Sequence, residues 1–324
     1  IMGPAVGLIG CGRWGMNHLK TLHELKKSGI IGSIHACDLK PDKQHEVTHY
    51  ADTFHTDWQK LVQQHQLDLV AIVTPADTHC NLALSLLDHC HSLFIEKPIG
   101  LSQHEASAII SKVQDVGGRL LVGHILRFHE AIKQTMTLIS DGSIGELHRV
   151  EFNRITTREP PDYPNIFEAM AIHGIDTACY AFGELEPSRL SVGNLLLDGQ
   201  KYPTNAELFI EFPGMKEAHI SVGWNGDFEN RSIEFIGSKG NISVETDNTT
   251  RVVKKIENIS HEVMLKEASS PLLKEWVYFI EMVNKPVNDS IYPLPGAVIR
   301  SIKWLEMANQ EISNGSVRLN DSIE

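Results

Sequence analysis

Through its first 125 residues the chain alternates short, almost continuously apolar runs with amphipathic segments. AVGLIG (5–10), SIHACD (33–38), LDLVAIVTP (67–75), SLFIEKP (92–98) and RLLVGHI (119–125) predict strands buried on both faces, as parallel strands are. Between the first two, Trp14, His18, Leu22 and Leu25 recur at three- and four-residue spacing and predict a helix. NLALSLLDHC and SQHEASAIISKVQDV predict two more. This βαβα rhythm implies a doubly wound parallel sheet of the Rossmann kind.

From about residue 145 the pattern changes to period two. ELHRVEFNRITT, AELFIEF, EAHISVGW, SIEFIG and GNISVET read as strands; in HISVGW, Ile220, Val222 and Trp224 face one way and His219, Ser221 and Gly223 the other. FPGMKEA and GSKGN carry hairpin residues. A mostly antiparallel sheet with one open face follows, closed by helices at roughly 271–284 and 296–313. The expected fold is α/β followed by α+β, with domains at 1–125 and 126–324, the length of 324 residues itself favouring two.

A formal net charge of -12 without any basic run argues against nucleic acid or an anionic membrane as partner. No apolar run is long enough to span a bilayer, and the opening IMGPAVGLIGCG does not read as a signal peptide. The five cysteines are scattered without a Cys-x-x-Cys, which suits reduced thiols and a cytoplasmic location. Cys80, His89, Cys90 and His91 lack zinc-like spacing, so no metal is expected.

The first candidate site is GLIGCGRWG, where Gly10, Gly12 and Gly15 form G-x-G-x-x-G between a strand and a helix, the context of a dinucleotide turn. Gly10 allows the tight turn, Gly12 lets backbone approach a pyrophosphate, and Gly15 lets helix and strand pack closely. Arg13 and Trp14 lie within the same cofactor-binding turn. Asp38, 23 residues after Gly15, suits the ribose hydroxyls of NAD and repels the extra phosphate of NADP, although Lys40 leaves some room for the latter.

VAIVTPADTHCNLALSLLDHCHSLFIEKPIG adds T-P-x-x-x-H after the fourth strand and Glu-Lys-Pro after the fifth. With VGHILRFHEAIK, GSIGELHRVEF and SIEFIGSKGNISVE, it closely resembles the Gfo/Idh/MocA oxidoreductases over essentially the whole chain. The resemblance implies a cofactor site that includes Thr74, Pro75, His79, Glu96 and Lys97, and a second domain for substrate and oligomerisation, giving homodimers or homotetramers. Lys97 precedes a proline that biases it from helical geometry, and its amine can stabilise negative charge on a substrate oxygen.

The family pattern also carries an aspartate, a histidine four residues later and an aspartate three beyond. In NIFEAMAIHGID, His173 and Asp176 fill the last two places, but Ala169 stands at the first, with Glu168 one residue earlier. In an ideal helix that shift rotates the carboxylate by about 100°. Glu168 compensates only if its longer side chain reaches back or the helix begins differently there. His173 suits the base because the unperturbed imidazole pKa is about 6.5; Asp176 is expected to support the helix. Arg127, Arg154, Arg158 and Tyr163 are candidate substrate contacts, TTREPPDYPN resembling the segment before the catalytic helix in nucleotide-sugar members.

These readings converge on an NAD-dependent oxidoreductase in which Lys97 and His173 act on a ring hydroxyl or ketone of a sugar, foremost a nucleotide-linked one. The alternatives are a free polyol or aldose (inositol-type) dehydrogenase and a non-catalytic NAD-binding protein.

Overall fold

The computed structural model covers residues 3–196, 202–257, 259–266, 269–284 and 290–313. Two compact units result: residues up to Gly123 with Leu272–Ile299, and His124–Pro271 with residues from Arg300 onward. The expected outer limits at residues 1 and 324 lie outside the described residues.

In the first unit β1 (Ala5–Ile9), α1 (Arg13–Lys27), β2 (Ser33–Cys37), α2 (Gln44–Val47), β3 (Thr53–His55) and α3 (Trp58–Gln64) make the first half. β4 (Leu69–Ile72), α4 (His79–Leu86), β5 (Ser92–Glu96), α5 (Gln103–Asp115) and β6 (Arg119–Gly123) make the second. The second unit holds α6 (Glu130–Ser140), β7 (Leu147–Ile155), α7 (Ile172–Ala181), β8 (Arg189–Leu196), β9 (Asn205–Phe212), β10 (Lys216–Gly223), β11 (Asn230–Gly237), β12 (Gly240–Glu245), β13 (Arg251–Ile256) and β14 (Ile259–Met264). Then α8 (Pro271–Asn284), β15 (Ile291–Tyr292) and the first turn of α9 (Pro295–Ser313) belong to the first unit again.

The first sheet runs β15-β6-β5-β4-β1-β2-β3, every pair parallel. Its order reverses between β4 and β1, the position at whose carboxyl edge ligands of such sheets bind. The five predicted strands are all present, their centres (Leu8, Ile34, Leu69 to Ile72, Leu93 to Ile95, Leu120 to Val122) fully buried. β3 and β15, three and two residues long, were not expected; strands that short carry no readable period, and β15 exists only because the chain after α8 returns to the edge of β6.

The second sheet runs β14-β13-β12-β11-β7-β10-β9-β8 and is antiparallel except for β7 beside β10. Ile220, Val222 and Trp224 are buried, while His219 and Ser221 are only half-buried. α7 lies close on that buried face, since a Cβ on Gly174 would sit 2.8 Å from Ile220 Cγ2. β8, β13 and β14 escaped the sequence pattern; β14, ISHEVM, is an edge strand with mostly exposed side chains, where burial writes no alternation.

One stability consequence follows from β2 and β3. His35, 8% exposed, lies between Ser33 Oγ and Thr53 Oγ1 at 2.9 Å each, its ring stacked 3.8 Å from that of His65. Burial, then the neighbouring charge of His65, pushes its pKa down to about 4. An unfolded His35 titrates near 6.5, so the unfolded chain takes the proton first. The stabilisation is therefore complete above about pH 6.5 and is lost as pH falls toward about 4. Urea midpoints across that range should drop, and the drop should be smaller in His35→Asn; an identical slope in both proteins would remove His35 from the explanation.

Candidate cofactor turn and catalytic helix

The three glycines after β1 have three different reasons to be glycine. Gly10 adopts a φ of +100°, and a Cβ there would lie 2.6 Å from the Val73 carbonyl carbon. At Gly15 a Cβ would lie 1.9 Å from Gly10 O, so α1 packs directly on the turn. Gly12 has an ordinary φ of -67°, yet a Cβ there would meet nothing within 4 Å. That open approach at the N-terminus of α1, beside the strand-order reversal, fits a pyrophosphate drawn by the unpaired N–H groups. Arg13 and Trp14 are exposed on the same turn. Asp38 follows β2, with Oδ2 accepting from Cys11 N–H at 2.7 Å and Oδ1 from Lys40 N–H at 2.9 Å. The carboxylate is thus fixed against the turn, as a ribose contact requires.

Behind the turn, Glu96 is 6% exposed and its Oε1 accepts from Trp14 Nε1 at 2.6 Å and His18 Nε2 at 2.9 Å. Trp276 Nε1, which can only donate, donates to His18 Nδ1 at 3.1 Å. His18 is therefore the neutral Nε2–H tautomer, and its contact with Glu96 is a hydrogen bond between a neutral donor and a carboxylate. Burial pushes the Glu96 carboxyl up, but the bonds from His18 and Trp14 and the charge of Lys97 outweigh it and hold it below the usual range. Lys97 N–H donates to Glu96 Oε2 at 3.1 Å; Lys97 itself is half-buried, and its bond to Pro98 is cis.

Thr74 and Pro75 stand at the exit of β4, with Thr74 Oγ1 2.7 Å from Thr78 Oγ1. His79, 1% exposed, aims Nε2 at Thr74 O (2.8 Å) and Nδ1 at Pro98 O (2.9 Å). Burial lowers its pKa, and the two carbonyls only partly oppose that. His79 thus braces the turn after β4 against the turn after β5. Both His79 and Glu96 are buried, and their polar atoms have protein partners.

In the second unit, Arg127 corrects an expectation. It is 3% exposed; Nε and Nη2 each donate to Asp176 at 2.8 Å, and Nη1 donates to Glu184 at 2.7 Å. Arg300 donates to the same Glu184, and Tyr180 lies under the Arg127 guanidinium at 4.7 Å. A guanidinium so enclosed has no fork left for a substrate anion. Burial pushes Asp176 up, yet Arg127 and His124 bring it below the usual carboxylate range, in keeping with its expected supporting role.

His173 sits in α7, 7% exposed, and the chain enters that helix through a π-helical stretch, Phe167–Ala171. Ile172 N–H donates to Phe167 O, five residues back. A turn closed by an i→i+5 bond contains one extra residue, so a residue five places on comes back nearer the side of the first than it would in a plain α-helix. Glu168, five places before His173, is turned toward the histidine relative to that plain helix. Asn165, which the sequence reading missed, sets this start: Oδ1 accepts from Phe167 and Glu168 N–H at 2.9 and 3.0 Å, while Nδ2 donates to Glu168 Oε1 at 2.9 Å. Asn-x-x-Glu before an apolar run was the signal that could have found it. Arg158 lies over the Trp224 ring at 5.5 Å, Tyr163 is exposed, and Arg154 is half-buried on β7.

Both units match one family. Residues 5–124 match the GFO/IDH/MocA oxidoreductase family with its NAD-binding Rossmann fold, and residues 132–243 match the GFO/IDH/MocA C-terminal domain. The chain belongs to this family, and is an NAD(P)-dependent oxidoreductase of CH–OH groups. An inositol 2-dehydrogenase of Rhizobium meliloti is 28% identical over 246 residues, 67% of this chain and 73% of that one. A myo-inositol 2-dehydrogenase of Thermotoga maritima is 26% identical over 264 residues, 76% and 77% of the two chains. A UDP-N-acetylglucosamine 3-dehydrogenase of Acidithiobacillus ferrooxidans shares the fold, with a TM-score of 0.81 over 96% of this chain and 98% of that one at 20% identity. Among the described residues no helix is long and apolar enough to cross a membrane, and no group of three or more His, Cys, Asp or Glu is placed to hold a metal.

The glycines separate binding from folding. Gly12→Ala should leave the melting temperature unchanged and weaken NAD binding at least tenfold by calorimetry, whereas Gly15→Ala should lower the melting temperature outright. Arg127→Met should cost about 3–5 kcal/mol in urea unfolding, because Asp176 is left charged and buried. A loss under 1 kcal/mol would mean the ion pair is incidental.

Proposed function

We propose that the protein exchanges hydride between NAD and a ring carbinol of a cyclic polyol or sugar. The relatives named inositol dehydrogenases support a ring alcohol as substrate. The nucleotide-sugar enzyme resembles the chain in fold alone. Asp38, held by two backbone N–H groups at the carboxyl end of β2, supports NAD over NADP.

When bound, the nicotinamide supplies the hydride acceptor or donor. Gly10, Gly12 and the first turn of α1 would hold its pyrophosphate, and Asp38 its ribose. Lys97 carries positive charge toward the substrate oxygen and stabilises it as alkoxide character develops. Its backbone is set by Glu96 Oε2. His173 Nδ1 or Nε2 removes the hydroxyl proton in oxidation and returns it in reduction. Glu168 orients that imidazole and raises its basicity in place of the acid missing at Ala169.

The observation that carries this reading is the π-helical stretch under Glu168, which supplies the extra residue that the displaced acid needs. Lys97→Met and His173→Ala should each lower kcat by about 10²-fold or more, followed by reduced-nicotinamide absorbance on a panel of inositols, aldoses and UDP-sugars. Glu168→Ala should lower kcat/KM about tenfold. An unchanged kcat/KM would remove Glu168 from the mechanism.

A further inference from the structure

Histidines from three segments of the first unit converge on one hydroxyl. Thr53 and His55 alternate along β3 and so share a face of the sheet; His35 on β2 stands in register with Thr53, and His65 follows the last residue of α3. Around Thr53 Oγ1 lie His35 Nδ1 at 2.9 Å, His55 Nε2 at 3.2 Å and His65 Nε2 at 3.3 Å. The Nε2 atoms of His55 and His65 are themselves 3.0 Å apart. Two imidazole nitrogens and a hydroxyl oxygen thus form a nearly equilateral triangle. We propose that His55, His65 and Thr53 form a binding site for one divalent transition-metal ion, zinc foremost, with water completing its coordination.

The edges of the triangle carry the assignment. Ligand atoms about 2.0–2.2 Å from a shared ion stand about 2.9–3.4 Å apart in octahedral or tetrahedral geometry, and all three edges fall within that span. A neutral imidazole with its proton on Nδ1 offers the Nε2 lone pair, so both rings can present one to the same ion. Imidazole ligands suit zinc, copper or nickel, whereas calcium and magnesium prefer all-oxygen sets. The side chains of Thr53, His55 and His65 are half-buried, so an ion reaches them and keeps part of its water shell.

A residue behind the triangle holds two of its corners. His35 is buried, lies between Ser33 Oγ and Thr53 Oγ1 at 2.9 Å each, and stacks its ring on that of His65 at 3.8 Å. It orients the Thr53 hydroxyl and the His65 ring without being a ligand, as outer partners of metal sites do. Two imidazoles and a hydroxyl fall short of the three or more His, Cys, Asp or Glu side chains that no group among the described residues supplies, so the site is more open than a four-ligand structural centre. Its role is structural. β3 is a three-residue strand at the sheet edge, and the ion ties it to the end of α3. His55 O also accepts from Asp38 N–H at 3.0 Å, so the tie steadies the backbone beneath that carboxylate.

The test uses the full chain, freed of any affinity tag and stripped with EDTA, then titrated calorimetrically with zinc above the titration range of histidine. His55→Gln and His65→Gln are compared with His45→Gln, because the exposed His45 and His49 rings, 5.3 Å apart, are the competing pair. We expect one ion per chain, an affinity about tenfold or more lower in His55→Gln and in His65→Gln, and no change in His45→Gln. Proton–nitrogen correlation spectra of the parent histidines give a readout that does not depend on how a variant folds: zinc should shift two Nε2 signals together. A hydrogen bond between the two rings, with no ion bound, would leave those signals unmoved and overturn the site. Equal affinity in the parent and in both ligand variants overturns it as well, and so does a loss confined to His45→Gln, which would place the ion on the exposed pair.

Discussion

The first unit is organised around a buried carboxylate. Glu96 ends the inner strand β5, and within hydrogen-bond distance it gathers the first turn of α1 through Trp14, the next turn through His18, and the backbone of Lys97. Through His18 it also reaches Trp276 on α8, whose ring stacks on Phe94 at 4.9 Å. A buried anion of this kind stays charged only because three donors face it. Its cost in desolvation is offset by joining three segments distant in sequence, β5, α1 and α8, and the first two present the lysine and the glycine turn. Glu275 marks the contrast. It is fully buried and lacks a hydrogen-bond partner for either oxygen, and burial together with the charge of Glu96 pushes its carboxyl well above the ordinary range. Of the two carboxyls, the one with donors is the anion and the one without them is the neutral acid.

The second unit solves a similar problem with cations. Asp176, one turn beyond His173, is held by Arg127, and Arg127 by Glu184, which Arg300 also engages. This network anchors α7 by its far side, so the segment that enters the helix is free to depart from α geometry. The π-helical stretch lies in that segment, fastened by Asn165. Arginine suits the anchoring role because its planar fork meets Asp176 through two parallel bonds, which lysine could not do. The same fork is why Arg127 looked, in one dimension, like a residue that would bind a substrate anion.

Much of the first unit was legible because parallel strands buried on both faces write unbroken apolar runs, and because a glycine turn writes its spacing directly. Gly10, Gly12, Gly15 and Asp38 need only one strand, one turn and one further strand to meet, and each stands where its spacing implied. The long second-domain strands were legible for a related reason, since one buried face imposes a period of two. What only the tertiary structure decided depends on partners far away in the chain. That His79 and Glu96 act from behind the cofactor turn, that Arg127 is internal, and that β15 completes the first sheet are all settled by residues tens to hundreds of positions distant. The displaced acid at Glu168 is the sharpest case. By spacing in a plain α-helix it faces away from His173; the Asn165 cap at the helix start is written locally as Asn-x-x-Glu, but the Arg127–Asp176 anchor behind it joins residues 49 positions apart.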